Sequence, residues 1–261
     1  MGRHTYFTAC ALISLVACGG GGNSGDTGGA VDTIQVASLS NMDRQTVFIG
    51  GAVQVQDVNT QAVIKTIGTP IQVDGLPDNY NSYSDGTGTA FALLGLSPND
   101  TVQTVSTVGD DDLFRLLRLT PTTLPTASAG EVIYTGEYAA QYQSPQSDGT
   151  VDFGHMLGDA VLNVDFGDGF VGGRIENRRN SGSTPALARD IQLGSAQIEQ
   201  TGTFSGFVSG GAFETQEESS FGRYQGVIGG SSGEDIAIGI VVAHGNPTVV
   251  EVGAAIVTGD P

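Results

Sequence analysis

From Glu131 to Val257 the chain reads as eight short segments of strand type, each closed by turn residues, with no helix-length apolar period between them. They span 131–142, 159–166, 170–177, 191–200, 203–209, 222–228, 235–243 and 249–257. In the first, Tyr134, Gly136, Tyr138, Ala140 and Tyr142 share one face, because successive strand side chains point to opposite sides. Gly167-Asp168-Gly169 and Gln200-Thr201-Gly202 are hairpin turns between neighbouring segments. A closed up-and-down barrel leaves no sheet edge open to stray pairing. A two-sheet sandwich would also house eight strands. Glycines inside the segments (Gly136, Gly172, Gly206, Gly226, Gly239) favour the barrel, because its walls bend and pack closely. The expected fold is all-β, with an eight-stranded antiparallel up-and-down β-barrel over residues 130–261.

The preceding stretch, 31–129, is less regular. Residues 47–49, 52–58 and 63–67 read as short strands separated by Gly, Asn and Pro. Residues 78–88 (DNYNSYSDGTG) read as a polar loop. Residues 111–119 (DDLFRLLRL) read as one or two helical turns, acidic at the start and carrying Arg115 and Arg118 further along. Pro121 and Pro125 then break the chain. The expectation is a small β-rich, handle-like subdomain ahead of the barrel.

Charge narrows the functional classes. The chain has 28 Asp+Glu against 10 Lys+Arg, a formal net charge of −18. Nucleic acid is excluded as a partner, because phosphate neutralisation needs clustered Lys and Arg. Lys65 is the sole lysine, which removes the Walker loop and nearly every Schiff-base mechanism. At 39% hydrophobic residues the chain can still fill a core.

The first residues have the form of an export leader. Arg3 and His4 precede an apolar run from Tyr6 to Val16, too short for a bilayer span of roughly 20 residues. The run ends in Leu15-Val16-Ala17-Cys18, which resembles a bacterial lipobox. That resemblance implies removal of residues 1–17 and attachment of diacylglycerol and further acyl chains such as palmitate at Cys18. Several acyl chains anchor stably where one does not. Residues 18–30 (CGGGGNSGDTGGA) form a flexible tether, and Gly19 after the cysteine points to the outer membrane by analogy with enterobacterial sorting. Cys10 lies in the discarded leader, so no disulfide is expected in the mature chain. The strand segments carry Arg174, Glu176, Arg223, Asp235 and Glu251, which suits a barrel outside the bilayer on a lipid tether better than a membrane-spanning one.

The C-terminal pattern resembles the β-barrel of transferrin-binding protein B and its single-lobe lipoprotein relatives. The resemblance rests on Tyr134-Thr135-Gly136-Glu137-Tyr138, Val161-Leu162-Asn163-Val164-Asp165-Phe166 and Val171-Gly172-Gly173-Arg174-Ile175-Glu176-Asn177. Gly202-Thr203-Phe204-Ser205-Gly206 and Gly222-Arg223-Tyr224-Gln225-Gly226-Val227-Ile228-Gly229 follow in the family's order, then Glu234 and Ile238-Gly239. It implies a surface lipoprotein whose barrel and handle present loops to a captured ligand: a protein, an iron or haem source, or another solute. Such a ligand would be passed to a membrane transporter of the TonB-dependent type. The chain departs from the pattern in having room for one lobe, in Tyr138 where tryptophan is common, and in Val227-Ile228-Gly229-Gly230 where the family has Phe-Tyr-Gly-Pro. No ligand contacts carry over.

The residues that could carry chemistry have plainer roles beside them. Asp26-Thr27-Gly28 matches the aspartic-protease tripeptide but lies in the tether without a second copy. Gly229-Gly230-Ser231-Ser232-Gly233 matches a nucleophile elbow, yet a strand follows where that chemistry needs a helix. His155, in a 153–158 loop, and His244, before a Gly245-Asn246-Pro247 turn, lack partners at zinc-ligand spacing. Either could serve as a lone axial haem ligand, with a solvated loop histidine as the plainer role. Asp110-Asp111-Asp112 and the 78–88 stretch offer oxygens for calcium without EF-hand spacing. No catalytic residue, metal or cofactor is expected. Arg174, Arg178, Arg179 and Arg189 fall within one short stretch, and a 178–190 loop would display them as a positive patch for an acidic partner. Charge pairing with Glu176, Asp190 and neighbouring strands is the alternative. The function expected is a monomeric, non-catalytic ligand-binding lipoprotein. A structural lipoprotein contacting another envelope component is the second reading.

Overall fold

A computed structural model describes residues 43–109, 112–181, 188–212, 220–244 and 249–261, with the backbone alone of residues 32–36. The leader, Cys18, the tether with Asp26, Asp110, Asp111, the His244 side chain and residues 245–247 lie outside what is described.

Eight strands close the barrel: β10 (Glu131–Pro145), β11 (Val151–Asp165), β12 (Phe170–Asn180), β13 (Ile191–Gln197), β14 (Thr203–Gly210), β15 (Ser220–Gly229), β16 (Asp235–His244) and β17 (Val249–Thr258). Each runs antiparallel to the next, and β17 returns to pair with β10, Thr135 opposite Thr258 and Tyr142 opposite Glu251. The expected eight-stranded up-and-down barrel is therefore the observed one. Its interior is a packed apolar core that includes Tyr134, Leu162, Ile175, Phe204, Ile238 and Val257. Tyrosine hydroxyls inside it find acceptors, as when Tyr134 donates to the Gly233 carbonyl at 2.8 Å. Outward positions on β10 to β12 carry Glu137, Asp159, Asn163 and Arg174. Membrane-spanning barrels have the reverse pattern, apolar outside and polar within. No helix among the described residues is long and apolar enough to cross a membrane.

The N-terminal half forms two antiparallel sheets. One contains β1 (Asp32–Val36), β5 (Thr69–Ile71), β6 (Tyr80–Ser84), β7 (Phe91–Leu96), β8 (Val102–Val108) and β9 (Leu113–Arg118), in the order β1-β9-β8-β7-β6-β5. The other is β2 (Arg44–Ile49), β3 (Ala52–Asp57) and β4 (Val63–Ile67). The three-stranded sheet packs Val53 and Ile67 onto Ala92, Leu94 and Val105 of the larger sheet. The opposite face of that sheet lays Tyr80, Leu93, Phe114 and Leu116 on the barrel wall, against Val227, Ala237, Val252 and Ile256.

Two local expectations are corrected. The helical turns expected over 111–119 are strand β9, paired with β8 on one side and β1 on the other. Phe114 and Leu116 face the barrel while Leu117 packs with the outer sheet, so the strand is apolar on both faces and its alternation disappears. The polar loop expected over 78–88 contains β6, paired with β7 from Tyr80–Gly95 to Ser84–Phe91. The turn residues act only after it: the Asp85 carboxylate accepts from the N–H groups of Thr87 and Gly88 and from the Thr87 and Thr89 hydroxyls.

Candidate functional site

The wall of β12 to β15 contains a cleft with the form of a binding site, and one backbone irregularity shapes it. Between β11 and β12 the pairing passes from Leu157–Arg179 to Asp159–Glu176, so β12 carries an extra residue. Asn177 takes a left-handed conformation there, φ 53°, with its side-chain amide donating to the Asp159 carboxylate at 2.7 Å. The bulge resets the alternation. Ile175 points inward, and Arg178, which regular alternation would place outside, also turns in and is only 1% exposed.

Inside, Arg178 is held by groups that compensate its charge. Its Nη2 donates to Glu251 Oε2 at 2.5 Å, and its Nη1 to the carbonyls of Arg189 at 2.5 Å and Gly211 at 2.7 Å. Tyr138 donates its hydroxyl to the other Glu251 oxygen at 2.7 Å. Burial, and then the Glu251 carboxylate, push the Tyr138 hydroxyl well above the ordinary tyrosine range, so it remains a donor. The two carbonyls belong to the segments that follow β12 and β14, so one guanidinium ties both to the barrel interior.

Above this tie lies an open cleft of about 650 Å³, lined by Ala188, Arg189, Asp190, Gln192, Ser209, Gly210 and Ser220. The arginine patch expected from the sequence is thus divided. Arg174 and Arg179 are exposed on the outer wall, Arg189 lines the cleft, and Arg178 is withdrawn from the surface by the bulge. Arg174 is ion-paired with Glu176 at 2.5 Å. Residues 182–187 of the 178–190 stretch are outside what is described.

Sequence reasoning missed Phe207, Phe221 and Arg223 on the same wall. The Arg223 guanidinium stands 5.5 Å from the centre of the Phe207 ring. The signal was present: with Phe204 and Val208 inward on β14, and Tyr224 inward on β15, alternation turns these three outward.

The remaining candidates have internal partners. His155 is not in a solvated loop but in β11, where it pairs with Gln141. Its Nε2 is 3.0 Å from the Ser82 hydroxyl, Phe91 packs edge-on to its ring, and burial pushes its pKa down to about 4. A half-buried imidazole held against Ser82 and Phe91, between the sheet and the barrel, is poorly placed to reach a haem. Ser231 and Ser232 belong to the β15–β16 turn, where the Glu234 carboxylate accepts both their N–H groups and the Ser232 hydroxyl. Among the described residues, no group of three or more His, Cys, Asp or Glu could hold a metal ion.

The chain superposes on transferrin-binding protein B from Haemophilus parasuis with a TM-score of 0.51 at 14% identity, over 88% of this chain and 45% of that one. It spans about half the length of that protein, as one lobe would. A surface lipoprotein structure aligns over 87% of this chain and 97% of that one at 13% identity and a TM-score of 0.40. Transferrin-binding protein B from Neisseria meningitidis serogroup B aligns over 88% and 43% at 12% identity and a TM-score of 0.44. The fold is that of a transferrin-binding protein B-like lobe. No protein-family model and no curated protein sequence matches the chain.

Proposed function

We propose that this protein is a non-catalytic ligand-binding lipoprotein, anchored in the outer membrane through lipid on Cys18 and acting as a monomer. The observation that carries the reading is the open, polar cleft, lined by Arg189, Asp190 and Gln192 among others, at one end of a barrel whose interior is packed with side chains. With the described barrel interior packed by apolar side chains, we assign capture to the outer wall and end of the barrel. The transferrin-binding protein B-like fold supports the same role. The ligand is a protein or a small solute such as an iron or haem source, and a TonB-dependent transporter is the natural recipient.

The test uses cells that express the full chain, offered in turn haem, ferric siderophores and iron-loaded carrier proteins, with retained ligand measured after washing. Retention that falls when Cys18→Ala removes the anchor and when Arg189→Ala alters the cleft is the expected result. Binding of no offered ligand, together with stable co-purification with an envelope component, would transfer the assignment to a structural lipoprotein.

A further inference from the structure

Strands β12 to β15 differ in charge from the rest of the chain. They contain four arginines and one carboxylate, Glu176, in a protein whose net charge is −18. With Arg178 turned inward, Arg174, Arg179 and Arg223 remain on the outside. Glu176 is engaged by Arg174, and among the described residues neither Arg179 nor Arg223 is ion-paired. Among the described outward residues of these strands, three arginines therefore stand against one carboxylate.

The same face carries two of the most exposed large apolar side chains, Phe207 at 72% and Phe221 at 64%. Phe207 stands directly opposite Arg223, and Phe221 lies two residues before Arg223 on the outward side of β15. Between these aromatics and Arg174 are small polar residues, with Arg174 opposite Gln192 and Gln192 opposite Ser209. Gln192 and Ser209 also line the cleft, so face and cleft are continuous. The N-terminal sheet covers β16, β17 and the Val227 end of β15, whereas Phe207, Phe221 and Arg223 stay exposed.

Phenylalanine and arginine are both enriched at protein interfaces, and arginine is also among the residues that carry most of the binding energy. The polar Gln192 and Ser209 beside them leave those anchors accessible. We infer that the outer face of β12 to β15 docks an acidic protein segment, with Phe207 and Phe221 as apolar anchors and Arg223 and Arg179 selecting negative charge. This inference rests on the ligand-binding reading above and specifies the partner's chemistry. Local charge complementarity selects the occupant: a basic segment would be repelled at this face, while a short acidic segment meets only the face, unlike an anionic membrane or nucleic acid, whose extended surface would also meet the rest of a chain of net charge −18.

The experiment uses the full chain purified in detergent micelles and fluorescein-labelled peptides as probes: one alternating Glu with Leu and Phe, one alternating Lys with Leu and Phe, and one with Ser in place of the charges. Anisotropy is read at low and at half-molar salt. The acidic probe should bind, more weakly at high salt, while the basic probe does not. Phe207→Ser with Phe221→Ser should lower its affinity by about thirtyfold or more, and Arg223→Glu should abolish the salt dependence. These positions are exposed, so melting temperatures should be unchanged. Ile133→Ser, on a different part of the wall, is the control that leaves binding intact. Equal binding of all three probes, or variants without effect, would overturn the inference. So would sedimentation showing that wild type self-associates through this face, since a second copy would then be the occupant. If the cell experiment yields a retained ligand and these variants do not alter its retention, the binding module stands and this face is wrong.

Discussion

Arg178 reaches the barrel interior only because β12 carries one more residue than the stretch of β11 it faces. Its guanidinium and the Glu251 carboxylate are both fully enclosed, so each needs the other. Arg178→Met should lower the unfolding free energy by about 3–5 kcal/mol in urea titrations, because the buried Glu251 carboxylate loses the guanidinium that faces it. Adding Glu251→Leu to that variant should recover much of the loss, since it removes the stranded charge. If the double variant is as unstable as the single one, the hydrogen bonds to the Arg189 and Gly211 carbonyls matter more than the ion pair. His155 supplies a second residue-scale test, through pH. Burial lowers its folded-state pKa to about 4, against an ordinary value of 6.5. Between those limits the unfolded chain binds the proton that the folded chain refuses, so stability is complete above pH 6.5 and declines towards pH 4. The decline from this residue is on the order of 3 kcal/mol. His155→Gln, which retains a polar group beside Ser82, should flatten that part of the profile of melting temperature against pH. Parallel profiles for wild type and variant would show that the imidazole is not enclosed.

At the scale of strands, packing against Gly239 gives the sharpest test. A Cβ built on Gly239 of β16 would lie 2.1 Å from the Phe114 ring of β9, so the ring occupies the space that any other residue would need. Gly239→Ala should cost about 1–3 kcal/mol, and the penalty should shrink when Phe114→Leu is added. Denaturant midpoints of the four proteins measure that coupling, and additive effects would mean that ring and glycine do not touch. The same contact shows what the sequence could and could not disclose. The eight barrel strands were legible, most because one face meets the core and the residues alternate, and β16 and β17 as apolar runs closed by turn residues, but the first half of β11 with His155 was read as a loop. Strand β9 was not, because the barrel wall and the outer sheet bury it from both sides and leave a helix-like run of leucines. Strand β6 was hidden by Asn and Ser at positions that its tyrosines, not its mean polarity, explain. In the candidate site, alternation could have turned Phe207, Phe221 and Arg223 outward. Nothing in the letters announced the bulge at Asn177, and so Arg178 was expected on the surface with Arg179.

For the whole molecule, the decisive interface joins the N-terminal sheets to the barrel. Apolar residues of β6 to β9 cover Val227, Ala237, Val241, Val252 and Ile256 on the outside of the barrel wall. Polar pins cross the same interface. Tyr80 donates to the Glu137 and Ala254 carbonyls, and Arg118 donates from Nε to the Ile228 carbonyl at 2.8 Å and from Nη2 to the Thr201 carbonyl at 2.6 Å. Those acceptors lie on three barrel strands and one hairpin turn, so the sheet is fixed at both ends of its contact. A body joined in this way should unfold in one step. Hydrogen exchange can check it: amides of β7 to β9 and of β16 and β17 should lose protection at the same free energy. Arg118→Met should lower both sets together, because it weakens a shared interface. If β7 to β9 exchange at a lower free energy while the barrel stays protected, the sheets open as a separate unit. A face on β12 to β15 would then be held by the barrel alone, whereas a single transition would make every loss at the sheet interface a loss at the binding wall as well.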